Sequence, residues 1–155
     1  MNIKFRPLLL CFFAILFMMT GCASVNDVIA AKESNREGTT AFYDVTQDQA
    51  WDIAKAVFRW EGSDAIEEHR SEGYMITSTG IGFLTVGTVM GAWISTDTGA
   101  NSGGKIKVTV VTKRRVQTNL VTSLTESTFQ KRFAQAVAIV KSGQPLPTVA
   151  PSAPN

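Results

Sequence analysis

The sequence predicts an α+β domain of two layers, an antiparallel sheet of about four to five strands with two helices packed on one face. Two amphipathic helical patterns bracket a run of alternating, turn-separated β-branched segments. The stretch between Ala41 and Lys141, about 100 residues, is long enough for one core.

The first helix opens at Thr46, where "TQDQ" sets a hydroxyl three residues before Gln49, the spacing of a capping box. Ala50, Ile53, Ala54, Val57 and Trp60 then recur at helical spacing. Trp51 and Phe58 widen the apolar side, Asp48, Asp52, Lys55 and Arg59 fall opposite, and Gly62 closes the helix. The second helix is expected from "SLTE", with Ser123 and Glu126 in the same capping relation. Phe129, Phe133, Ala136 and Val140 form its stripe, and Gly143 with Pro145 stops it.

Between them, Ile66 and Tyr74–Ser78 flank the turn "SEG" (Ser71–Gly73) as a hairpin. Two stronger strands follow, Gly87–Ser95 and Lys105–Arg115, joined by "TDTGANSGG". In the second, Ile106, Val108 and Val110 alternate with Lys105, Lys107 and Thr109, which predicts a sheet with one wet face. A short strand at Phe42–Val45 completes it.

The flanks differ from this core. Residues 22–40 are polar, with a short apolar patch at Val25–Ala31, and read as a flexible tether with one nascent helical turn. Fully extended, this tether would reach roughly 60 Å. Residues 142–155 carry four prolines in "SGQPLPTVAPSAPN" and are expected as an extended, disordered tail.

The N-terminus has the three regions of a secretory signal: Lys4 and Arg6, an apolar run from Leu8 to Met19, and small residues after it. The run is short for a span, which needs roughly 20 residues. It ends in Met19-Thr20-Gly21-Cys22, which resembles the lipobox of bacterial lipoproteins. That resemblance implies a signal peptide over 1–21 and a mature chain starting at Cys22, with diacylglycerol on the thiol and a palmitoyl group on the new amino group. Membrane lipid is then a partner through Cys22. Ala23 in place of Asp implies the outer membrane, facing the periplasm, rather than retention in the inner membrane.

Of the 15 basic residues, Lys4 and Arg6 leave with such a signal, so 13 remain against 13 acidic ones. The net charge of +2 therefore belongs to the signal, and no nucleic-acid partner follows from it. Cys11 leaves as well and Cys22 carries lipid, so the mature chain forms no internal disulfide.

Three stretches invite sharper readings. "GANSGGK" (Gly99–Lys105) fits GxxxxGK, but Ile106 follows where a P-loop needs a hydroxyl, and a strand follows where it needs a helix. We read it as a hairpin loop, with no nucleotide. Gly87 and Gly91 stand at the GxxxG spacing of membrane helices, yet Thr85, Val86, Thr88 and Val89 favour a strand. Lys113, Arg114 and Arg115 form a basic cluster, a candidate interaction surface for headgroups or peptidoglycan, or else a charged guard on a strand end.

His69 is the only histidine, so the usual metal sites and Ser/His or Cys/His arrangements lack support, and no cofactor or metal is expected. Glu67 and Glu68, adjacent on a strand, point to opposite faces, and "EEHR" reads as solvated surface.

"YDVTQDQAWDIAKAVF" (Tyr43–Phe58) and the stretch from Gly91 to Phe133 resemble a group of small proteobacterial lipoproteins. The element order is also similar to the helix-grip domains of BamC. An architectural likeness does not transmit function; with no constellation for catalysis in the sequence, we read the chain as a non-enzymatic envelope lipoprotein, an interaction or structural module contacting an envelope protein or peptidoglycan. The alternative is a small apolar or lipid ligand held between helix and sheet, lined by Trp51, Phe58, Trp60, Phe83, Trp93, Phe129 and Phe133.

Overall fold

The computed structural model describes residues 23–34, 37–63, 65–79, 87–99, 103–114 and 125–152. In chain order they form α1 (Val25–Glu33), β1 (Thr39–Tyr43), α2 (Gln47–Trp60), β2 (Ile66–His69), β3 (Tyr74–Thr79), β4 (Thr88–Thr96), β5 (Ile106–Arg114) and α3 (Glu126–Lys141). The five strands make one antiparallel sheet in the order β1, β5, β4, β3, β2. The fold is α+β, as the alternating segments between helical patterns require.

α2 starts as its sequence directs: Thr46 Oγ1 accepts the Gln49 N–H at 3.2 Å, and Gln49 Oε1 accepts the Thr46 N–H at 2.9 Å. Its apolar side, with Phe129 and Phe133 of α3, packs on Met75, Met90, Ile94 and Val108 of the sheet. α3 begins later than expected. Its cap is Thr125, whose hydroxyl accepts the Thr128 N–H at 3.2 Å, and Ser123 lies outside the described residues. Glu126 is thereby free for another task, since its carboxylate accepts the Thr112 N–H and the Thr39 hydroxyl, both at 2.9 Å. β1 pairs with β5 only as far as Val110, so this carboxylate supplies the acceptor that a longer β1 would have given Thr112. β1 itself lies earlier than the expected Phe42–Val45, because Asp44 and Val45 turn into the α2 cap.

The expected wet face is the principal correction. Residues 22–40 are not all tether: nine of them form α1, which lies against the face of the sheet opposite α2 and α3. Val28 is fully buried there with Ala31, against Ile76, Val89 and Val111. The helix is locally specified, with Ser24 Oγ accepting the Asp27 N–H while Asp27 takes the Ser24 N–H at 2.6 Å. Gly91 makes the close approach possible, since a Cβ there would stand 2.6 Å from the Trp93 ring and 3.0 Å from Val28. Gly91 lies in a strand, as its β-branched neighbours lead one to expect, and α1 is its close neighbour.

The tail expectation also changes. Through Ser152 the chain lies along α2 and α3, with Leu146 packed against the core, and Ala153–Asn155 lie outside the described residues.

Gly91→Ala forces either the Trp93 ring or α1 outward and should lower stability by about 1–3 kcal/mol. Urea unfolding followed by tryptophan emission would show a lower midpoint; an unchanged midpoint would contradict the close approach of α1.

Candidate functional site

The residues singled out in the sequence do not converge. Cys22 and Arg115 lie outside the described residues, as does Phe83. Lys113 and Arg114 follow the strand alternation and take opposite faces of the sheet. Lys113 is ion-paired with Glu37 beside α1, whereas Arg114 borders a shallow cavity of about 370 Å³ with Thr39, Thr112, Thr125, Glu126 and Ser127. The N-terminus of α3 opens into that cavity, but the Glu126 carboxylate already occupies it, which opposes an added anion.

The aromatics divide likewise. Trp51, Phe58, Phe129 and Phe133 are closed core, Trp93 is on the α1 face, and Trp60 faces the C-terminal segment. On the α1 face, His69, Tyr74 and Trp93 stack in a row across three strands, with successive centroids 4.5 and 5.8 Å apart. Of Gly99–Lys105, residues 100–102 lie outside the described residues; Asp97 N–H donates to the Lys105 C=O at 2.8 Å, and Lys105 immediately precedes β5.

The densest polar constellation is one the sequence hid. Glu68 projects from edge strand β2 toward α2, opposite in direction to Glu67, and its carboxylate accepts the Trp51 indole N–H at 2.6 Å. Lys55 reaches the other oxygen at 3.0 Å. Arg70 donates to Glu68 at 3.3 Å and forms an ion pair with Asp48 at 3.5 Å, with its guanidinium 4.8 Å over the Trp51 ring. The indole N–H above all, then Lys55 and Arg70, hold the Glu68 carboxyl down to about 2. A carboxylate so engaged is a poor proton donor or acceptor near neutral pH. Chemically the group is a latch that fastens the outermost strand to α2. Its signal in the sequence was faint: Trp51 and Lys55 share a helix face at i, i+4, and period-two counting turns Glu68 toward it.

The second neglected place is the outer surface of α2 and α3. Trp60 Nε1 donates to the Pro147 carbonyl at 2.9 Å, Gln135 Nε2 to the Ser152 carbonyl at 3.1 Å, and Arg132 to the Pro151 carbonyl. A cavity of about 370 Å³ lies beside them, lined by Asp52, Lys55, Ala56, Arg59, Trp60 and Leu146–Thr148. Arg132 also pairs with Glu61 at 3.4 Å, and burial pushes the Glu61 carboxyl up.

Among the described residues no group of three or more His, Cys, Asp or Glu would hold a metal, and no helix is long and apolar enough to cross a membrane. Comparison with protein-family models, curated proteins and solved structures found no match.

Because the folded Glu68 carboxyl titrates near 2 against 4.5 unfolded, its stabilisation is present above pH 4.5 and lost as pH falls toward 2. Glu68→Gln should cost about 1 kcal/mol at neutral pH, as for a partly exposed ion-pair network, and should flatten the acid limb of a stability–pH curve. An unchanged acid limb would show that the latch contributes nothing.

Proposed function

We propose that this chain is a lipid-anchored envelope protein. Acylated Cys22 holds it on the outer membrane, facing the periplasm, where it acts without catalysis as an interaction or structural module toward an envelope protein or peptidoglycan. The observation that carries the reading is the end of the apolar N-terminal run, Met19 to Cys22, followed at once by a capped helix.

The position of α1 adds content to the anchor. Cys22 stands two positions before the Ser24 cap, a backbone reach of roughly 7 Å rather than 60 Å. Val28 lies against Gly91, Lys32 is 5.9 Å from the Trp93 ring, and Asp27 feels the charge of Lys113. The first turn of α1 is therefore at the end of the sheet where β5 finishes. An acyl group on Cys22 would draw that end toward the bilayer. The β4–β5 hairpin, at the far end of nine-residue strands, would project about 30 Å away from it. The surfaces offered to a partner are then the hairpin and the flanks of the sheet.

Intact mass of the protein taken from membranes of its own host should give a species starting at residue 22 and heavier than its sequence by acyl chains. Cys22→Ser should abolish that species. A mass without acyl chains, or one starting elsewhere, rejects the anchor and the localisation together.

A further inference from the structure

The proline-rich C-terminal segment is held through its backbone carbonyls. Three side chains on the outer surface of α2 and α3, those of Trp60, Arg132 and Gln135, each donate to one of its backbone carbonyls. Donors aimed at carbonyls read an extended backbone and not a particular set of side chains. Prolines at 145, 147 and 151 remove competing N–H groups and restrict the segment to extended conformations before it docks. Proline-rich segments dock in aromatic-lined grooves because their extended helix is preformed and loses little entropy on binding, and here Trp60 supplies an aromatic side chain whose N–H meets the Pro147 carbonyl.

The segment is also lightly held. Leu146 is its one residue packed against the core, and Val149 is 75% exposed. Two of its three hydrogen bonds, those from Trp60 and Gln135, are exposed to water, which competes for the same donors. The cavity between the segment and α2 shows that it does not fill the space available to it.

We propose that the surface formed by Trp60, Arg132 and Gln135 is a docking site for extended proline-rich peptides, occupied in the free protein by the chain's own residues 144–152. The tail then acts as an intramolecular competitor: a partner peptide binds by displacing it, and loosening the tail exposes the site. This holds whether or not Cys22 is acylated.

The test is a titration of the full mature chain with a synthetic peptide of residues 142–155, followed through the indole N–H resonances of Trp51, Trp60 and Trp93. In the unmodified chain the tethered copy, at an effective millimolar concentration, should keep the trans peptide weak. Leu146→Ser removes the anchor of the tail, and Pro147→Gly with Pro151→Gly loosens it without touching the core. Either variant should bind the peptide about 10-fold more tightly, since the competitor is weakened. The Trp60 resonance should move while those of Trp51 and Trp93 stay. Adding Gln135→Ala, which removes one of the carbonyl donors and leaves the Trp60 probe in place, should reduce the gain. A Trp60 signal that no peptide concentration moves in any of these proteins overturns the proposal. So does equal binding of a peptide with its prolines replaced by alanine.

Discussion

Everything in this domain is referred to the pairing of β4 with β5, whose residues are apolar toward both layers. Met90, Ala92 and Ile94 with Val108 and Val110 face α2 and α3, while Val89 and Val111 face α1. A strand pair buried on both sides cannot expose either face without losing roughly 25 cal/mol for each Å² of apolar surface returned to water. The helices are therefore obligatory covers. The edges follow from the same centre, because each outer strand has only one strand partner and needs a second fastening. β2 obtains it from Glu68 on Trp51, and β5 beyond the end of β1 obtains it from Glu126.

The sequence disclosed the elements with strong periodicity and concealed those whose reason is tertiary. α2 declared itself through its capping box and stripe, and the β4–β5 hairpin through alternation and a glycine-rich turn. The wet face was inferred from Lys105, Lys107 and Thr109, the half of β5 where alternation is clean. Directly after Thr109, Val110 and Val111 are consecutive apolar residues, the mark of a strand covered on both sides. The cover itself is faint in the sequence because "VNDVIAAKE" is short, and its apolar patch of Val25, Val28, Ile29 and Ala31 spans barely two turns.

The site features were less legible still. Lys113 and Arg114 look like one patch in a string of letters, yet a pleated strand sends neighbours to opposite faces. Glu68 looked solvated because its three partners come from another helix and from the turn that follows it. The seating of the tail depends on carbonyls, which carry no sequence signature; only the accumulation of prolines marked the segment at all.

α1 and the C-terminal segment share one design: each lies outside the central core, attached by few apolar residues and a few polar contacts. α1 relies on Val28 and Ala31 with Val25 and Ile29 partly buried beside them, and the C-terminal strap on Leu146. Elements with so little buried surface lie at the low end of local stability and open before the sheet does. Opening has a different consequence at each end. Release of the strap bares the donors of α2 and α3. Release of α1 bares Ile76, Val89, Val111 and the Trp93 ring, and returns residues 23–38 to the length of chain first read as a tether. For an anchored protein the docking of α1 would thus set both the reach of the domain from the bilayer and the exposure of its second face. The two are linked because the helix that shortens the leash is also the cover of the sheet.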